Sequence, residues 1–373
     1  MDLLEIRKEI DDIDEKLIPL LLDRMECSKK VAEYKVARGI PVLNEEREQQ
    51  ILNDVGAKCG DKGETIKTVF SAIMDASRAL QHKIIGGGQQ LRDSVMGAIK
   101  NEGLLAHGEP IACQGVDGAY SGKAARALFD DSPIHFYKQF EDVFEAVNQN
   151  KAKFGVIPVE NSTAGSVHES YDLIMKYRFY VVGAYDLKVC HCLAAKESTA
   201  YEEIDDVYSH PQALSQCNIF LKNFDFTGIN FTNTAAAAKF VASSDKNNIA
   251  VICSEDAAKK YGLKILKKNI QNISNNSTRF IVISKELFIG KDADKISLIF
   301  SAPHKTGSLY RVLGRFSMTG LNLTKLANGK FDYNFYADVL GSVKDEATLD
   351  LLCALYDELP EFTFLGNYKE IEE

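Results

Sequence analysis

Seven polar residues within the first 81 positions are of types that together could hold a small anion: Arg7, Arg24, Lys35, Arg47, Glu48, Ser77 and Gln81. Arg24 is the most telling. Leu3, Ile6, Ile10, Ile13, Leu17 and Leu20 recur at steps of three and four, and Arg24 takes the next place before Cys27, Val31 and Tyr34. An unpaired guanidinium in an apolar seam is costly, so the position points to a pocket with a negative occupant. Arg7 and Lys35 lie four heptads apart, about 42 Å along a straight helix, and cannot reach one small ligand from one chain. An antiparallel copy of the helix would bring Arg7 of one subunit to Arg24 and Lys35 of the other. Ser77 and Gln81, at i and i+4, share a helix face. The set contains cations, neutral donors and one carboxylate, with no nucleophile, histidine or metal cluster. It suits holding a dianion and stabilising separated charge without covalent chemistry. Taken singly, Arg7, Lys35 and Arg47 read as solvated helix charges.

A second set lies downstream in four clusters of small polar residues: "GAYSG" (118–122), "PVENSTAGSV" (158–167), "YSHPQALSQ" (208–216) and "NSTRF" (276–280). Each follows or opens an apolar strand-like run, and strand ends bordering a cleft are where α/β folds bind ligands. "IIGGGQQ" matches neither a dinucleotide nor a triphosphate glycine fingerprint, so no cofactor is expected. "VCHCLAA" places Cys190, His191 and Cys192 in succession, but on a strand only the two cysteines share a side, so the stretch reads as a buried strand and no metal is expected.

These residues need elements to position them. A long helix over residues 2–38, with a kink expected at Pro19, is followed by helices from "EEREQQILNDV" and "TIKTVFSAIMDASRALQHKI". Three helices of such unequal length cannot cover the long seam, which implies an intertwined homodimer or higher homo-oligomer. Residues 86–109 read as a linker, flexible at "IIGGGQQ". Alternating strands and helices from 110 to 287 imply a two-lobed α/β region with parallel sheet. Residues 295–372 follow a ferredoxin-like β-α-β-β-α-β order. The net charge of -9 argues against a nucleic-acid or anionic membrane partner. "MDLLEIRKEI" has no signal-type apolar core and no apolar run nears about 18 residues, so the expected location is the cytoplasm.

"IRKEIDDIDEKLIPLLLDRMECSKKVAEYK", "NEEREQQIL" and "SRALQ" resemble, over residues 2 to about 84, the all-helical chorismate mutase domain that heads bifunctional chorismate mutase/prephenate dehydratase proteins, which implies a mutase domain over residues 1–85. The resemblance implies rearrangement of chorismate to prephenate, with Arg7 of a partner subunit and Arg24 on carboxylates, Lys35 and Gln81 on the ether oxygen, and Glu48 on the hydroxyl. Arg47, Ser77 and Asn44 complete the set; Asn44 stands where relatives usually have Asp, which implies altered affinity or pH dependence. "VENS", "YSHPQ" and "TRF" in this order resemble prephenate dehydratase, which removes carbon dioxide and water from prephenate to give phenylpyruvate. There Thr278 would act at the leaving hydroxyl, Arg279 would clamp a carboxylate or form a structural ion pair, and Ser121, Asn161, Ser162, Ser209, His210 and Gln216 would line the cleft. Residues 295–372 resemble an ACT domain with an L-phenylalanine effector at Gly307, Ser308 and Leu309. Its usual Glu-Ser-Arg-Pro motif is replaced by "LTKLANGKFDYNF", which implies weakened or altered effector binding. Two further readings remain at this stage: a dehydratase whose N-terminal helices only dimerise, and a non-catalytic amino-acid sensor.

Overall fold

The structure, a computed structural model, describes residues 2–100, 108–305, 307–328 and 334–373. Most of the expected connection "NEGLLAHGEP" and part of "LTKLANGKFDYNF" lie outside them. The chain forms two compact units, Met1–Met96 with Leu298–Phe364, and Gly97–Ser297 with Leu365–Glu373.

The first unit begins with α1 (Leu3–Val36), α2 (Glu45–Cys59), α3 (Gly63–Ile85) and α4 (Gln89–Lys100). Asp2 and Glu5 form a capping box at the start of α1, and the helix runs on through Pro19 to Val36. The face that α1 turns to α3 is not the apolar seam. It is centred on Ser28 and Ala32, which are buried and small enough for close helix approach, with Arg24 and Lys35 half-buried beside them. The seam itself stays exposed, with Leu17 at 46% and Leu20 at 65%. The expected linker carries α4, whose Leu91, Val95 and Ala98 are buried. Gly88 serves close packing: a Cβ there would lie 2.6 Å from the Cα of Cys353.

The second unit follows as β1 (Ile111–Gln114), α5 (Tyr120–Leu128), β2 (Ile134–Tyr137), α6 (Phe140–Asn148), β3 (Phe154–Asn161), β4 (Gly165–Ser166), α7 (His168–Tyr177), β5 (Tyr180–Lys188) and β6 (Cys192–Ala195). It continues as β7 (Asp206–Ser209), α8 (Pro211–Gln216), α9 (Asn218–Asn223), β8 (Thr227–Asn230), α10 (Thr234–Ser243), β9 (Ile249–Cys253), α11 (Glu255–Lys260), β10 (Lys264–Lys268) and β11 (Ser277–Ser284). The last module runs β12 (Lys295–Ser301), α12 (Ser308–Met318), β13 (Asn322–Asn328), β14 (Asn334–Leu340), α13 (Glu346–Glu358) and β15 (Phe362–Tyr368), and β16 (Glu370–Glu372) closes the chain.

The α/β unit has two sheets, ordered β16-β5-β11-β3-β1-β2, with β4 beside β3, and β10-β6-β9-β7-β8. Both are mixed, which corrects the expected parallel sheet. The return strand β11 inserts antiparallel between β3 and β5, and β6 runs antiparallel to β9 and β10. One core packs Phe154, Val156 and Phe280; another packs Ala235, Ala238 and Val251. The C-terminal module has the anticipated βαββαβ order with sheet order β13-β14-β12-β15.

Candidate functional site

In the α/β unit, β1, β3 and β7 end on one cavity of about 220 Å³. β11 contributes its first residues. Thr278 pairs with Asn161 in the antiparallel register, and a bulge follows in which Phe280 faces Pro158. The extra residue puts Pro158 and Asn161, three positions apart, on the same side, and it seats a proline where no ladder donor is needed. Thr278 and Phe280 both line the cavity. Arg279 lies between them and faces away by strand alternation.

The Asn161 side chain is buried and organises this corner. Its Nδ2 donates to Thr278 Oγ1 at 2.9 Å and to Asn276 Oδ1 at 2.9 Å, and its Oδ1 accepts from Thr163 Oγ1 at 2.7 Å and the Ala164 amide at 2.9 Å. Because the Thr278 oxygen accepts from an amide, its own proton is free to point into the cavity. His191, 3% exposed, lies across from it with Nε2 3.0 Å from Gln216 Oε1. The same Oε1 accepts from Asn276 Nδ2, so Nε2 carries the imidazole proton. Nδ1 then faces the Tyr120 hydroxyl at 3.2 Å, and that hydroxyl donates to the Cys190 carbonyl at 2.7 Å. Burial pushes the His191 pKa down and the Tyr120 pKa well up, which keeps both groups neutral. His210 caps α8 by accepting from the Gln212 amide at 3.3 Å, and burial lowers its pKa as well. The lining residues include no Asp, Glu, Lys or Arg. The first turns of α5 and α10, at Tyr120–Ser121 and Thr234, offer their positive ends instead.

Of the expected dehydratase residues, Ser121, Asn161, His210, Gln216 and Thr278 meet here. Three do not. Ser209 is fully buried and donates to the Ile252 carbonyl at 2.6 Å. Ser162 is exposed and ties the Asn275 carbonyl and the Ser277 amide. Arg279 pairs with Glu370 and with the Tyr368 hydroxyl at 2.8 Å, which makes it structural and not a clamp. Tyr120, His191, Gln212 and Asn276 were missed as site residues although the quoted clusters contained three of them; nothing local to "VCHCLAA" marks His191 as cavity-facing.

In the helical region, Arg24 Nη1 donates to Ser77 Oγ at 2.7 Å, fixing the guanidinium where α1 meets α3. Lys35 donates to the Val42 carbonyl. Burial lowers its pKa, Glu48 raises it and Arg78 lowers it. Gln81, 8% exposed, leaves its carbonyl oxygen without a hydrogen-bond partner. Glu48 pairs with Arg78, a residue within "SRALQ" that the sequence reading passed over. Arg47 is exposed and bonds Gln50 at 2.7 Å; Asn44 is the N-cap of α2 and accepts from the Arg47 amide at 2.9 Å. Arg7 lies on α1 about 25 Å from Arg24 and outside the cluster. Around the start of α12, Gly307, Ser308 and Leu309 line a cavity of about 550 Å³, with Gly307 at φ +81° as the N-cap.

The family model for prephenate dehydratase matches residues 111–287, and that for chorismate mutase type II matches residues 6–82. The bifunctional chorismate mutase/prephenate dehydratase of Enterobacter agglomerans is 30% identical over 382 residues, covering 98% of this chain and 95% of that protein. Arogenate dehydratase/prephenate dehydratase 2, chloroplastic, of Arabidopsis thaliana is 36% identical over 274 residues, covering 69% of this chain and 72% of its own length. Among solved structures, the prephenate dehydratase from Arthrobacter aurescens in complex with L-Phe has a TM-score of 0.65 at 23% identity, over 69% of this chain and 89% of that one. GqqA, described as a novel type of quorum quenching acylase, has a TM-score of 0.64 at 26% identity, over 70% of this chain and 97% of that one.

Proposed function

The chain belongs to the family of bifunctional chorismate mutase/prephenate dehydratases, and from the residues gathered in its cavities we propose how each step is carried out. It is an enzyme that rearranges chorismate to prephenate and then converts prephenate to phenylpyruvate. We assign residues 1–85 to the mutase, 110–287 to the dehydratase and 295–372 to an ACT regulatory domain, joined across 86–109.

For the mutase, Arg24 receives one carboxylate of the dianion, and Arg7 from a second copy receives the other. The exposed stripe on α1 supports this homodimer. Lys35 and Gln81 donate to the ether oxygen as its bond to carbon lengthens and it gains charge. Glu48 takes the substrate hydroxyl.

For the dehydratase, the observation that carries the assignment is the Asn161 to Thr278 hydrogen bond. It leaves the Thr278 proton turned toward the departing hydroxyl; that hydroxyl takes up one proton from solvent and leaves as water while the bond between ring and carboxylate breaks and its electron pair enters the ring. A threonine hydroxyl is a weak acid, so it acts as a hydrogen-bond donor on the path of the proton, and His191 and Tyr120 stay neutral. The uncharged lining gives the ring carboxylate no counter-ion, which favours its loss as neutral carbon dioxide. The side-chain carboxylate is held by the helix ends. At α12, the cavity of Gly307, Ser308 and Leu309 takes L-phenylalanine as effector, a reading supported by the L-Phe bound to the relative from Arthrobacter aurescens.

The test is to add chorismate to purified protein and follow both its loss and the appearance of phenylpyruvate. Arg24→Ala abolishes chorismate turnover and spares dehydration of supplied prephenate; Thr278→Ala does the reverse. Loss of both activities in both variants, at unchanged fold, would overturn the assignment of separate sites.

A further inference from the structure

The carboxylate assigned to the mutase substrate is not held by the helical domain alone. Arg78 of α3 binds one oxygen of Glu48 with Nη1 and one oxygen of Asp75 with Nη2. Arg311, in the first turn of α12, places Nη2 3.3 Å from the other Glu48 oxygen and 3.3 Å from Asp75 Oδ1. Residue 311 belongs to the C-terminal βαββαβ module, 263 positions from Glu48, yet both lie in one compact unit and line one cavity of about 390 Å³. A second tier anchors α12 to the same helix: Arg315 binds Glu358 at 2.7 Å, and Glu358 also takes His82 at 2.6 Å and Arg78 Nε at 3.3 Å. The side chains of Arg78, Asp75, Glu358 and Arg315 are 6% or 7% exposed, so this tier is rigid, whereas Arg311 at 37% reaches in from the edge.

The geometry matters because a carboxylate facing a single guanidinium tends to turn both oxygens onto it. Here one tip of Arg78 is occupied by Asp75, and Arg311 reaches the second Glu48 oxygen. The carboxylate is fixed by one contact on each oxygen and keeps further lone pairs for a hydroxyl donor.

We propose that Arg311 is a positioning residue for the mutase reaction, so that the C-terminal module sets the orientation of the carboxylate that receives the substrate hydroxyl. This rests on the assignment of Glu48 above. A contact made to the hydroxyl in both ground and transition states affects KM more than kcat.

The test uses the full chain and measures KM and kcat for chorismate, with turnover of supplied prephenate as a control for folding. Arg311→Met raises KM about fivefold and leaves kcat within about twofold, the size of a partly exposed ion pair. Arg311→Lys regains most of the loss. In a Glu48→Gln background Arg311→Met adds nothing, a result that general destabilisation would not produce. An unchanged or lowered KM in Arg311→Met, or an equal rise in the Glu48→Gln background, overturns the proposal. If Glu48→Gln alone leaves chorismate kinetics as in the wild type, the assignment of Glu48 falls and the proposal with it. If Glu48→Gln impairs turnover and Arg311→Met does not, only the proposal falls. Should Arg311→Met lose prephenate turnover too, Arg311→Gln is judged by the same KM criterion.

Discussion

A single amide sets the direction of a proton at the proposed dehydratase site. Asn161 donates to the Thr278 hydroxyl at 2.9 Å and so decides which way that hydroxyl points. Asn161→Asp keeps size and shape but replaces the donor with an acceptor, which turns the Thr278 proton away from the cavity. The expected outcome is a fall in dehydratase kcat of about a hundredfold, the scale of losing one oriented donor, with chorismate turnover unchanged. A steady-state assay on prephenate checks it, and a kcat within threefold of wild type would count against the orientation argument. Lys35 is governed by its surroundings in a similar way: burial lowers its pKa and the neighbouring Glu48 carboxylate raises it.

At the scale of elements, α3 is the shared wall of the first unit. One face meets α1 through Ser77, and another meets α12 through Asp75 and α13 through Arg78 and His82. Burial would raise the pKa of Glu358, but the hydrogen bond from His82 and the charges of Arg315 and Arg78 outweigh it and hold the carboxyl at about 2. A carboxylate depressed in the folded state stabilises it above the ordinary value of 4.5, and this stabilisation is lost as pH falls from there through about 2. The size is about 3 kcal/mol. Denaturation midpoints measured from pH 7 downward should therefore drop below pH 4.5, and Glu358→Gln, less stable at neutral pH, should lose most of that slope. An identical slope in the variant would place the acid sensitivity elsewhere. Within the α/β unit the β3–β11 bulge has a comparable role, bringing Pro158 and Asn161 to one side of the cavity.

For the whole molecule, the single chain leaves the stripe of Ile10, Ile13, Leu17 and Leu20 on α1 exposed. A surface of this kind on the element that carries Arg7 and Arg24 fits the homodimer proposed above. Leu17→Glu combined with Leu20→Glu places charges in that seam. The expected result is a monomer by sedimentation, loss of chorismate turnover and retained turnover of supplied prephenate. A monomeric variant with full mutase activity would remove the need for Arg7 from a second copy.

The order of elements, the three N-terminal helices and the closing βαββαβ module were legible in the sequence, because periodicity is a local signal, and the short polar clusters and the family resemblance pointed to Thr278, Asn161 and Gln216, which line one cavity. Which face each side chain took was not legible. The face of α1 turned to α3 proved to be Ser28 and Ala32 because small residues let two helices approach, and hydrophobic spacing does not record that choice. Arg279 and Ser209 sit inside matching motifs but face away from the cavity, since strand alternation and a bulge decide direction. His191 joined the site only because β6 begins beside α5 and α8. Glu48 pairs with Arg78, 30 positions on, and with Arg311, 263 positions on, in one charge network; that meeting is a matter of long-range packing that only the tertiary structure decides.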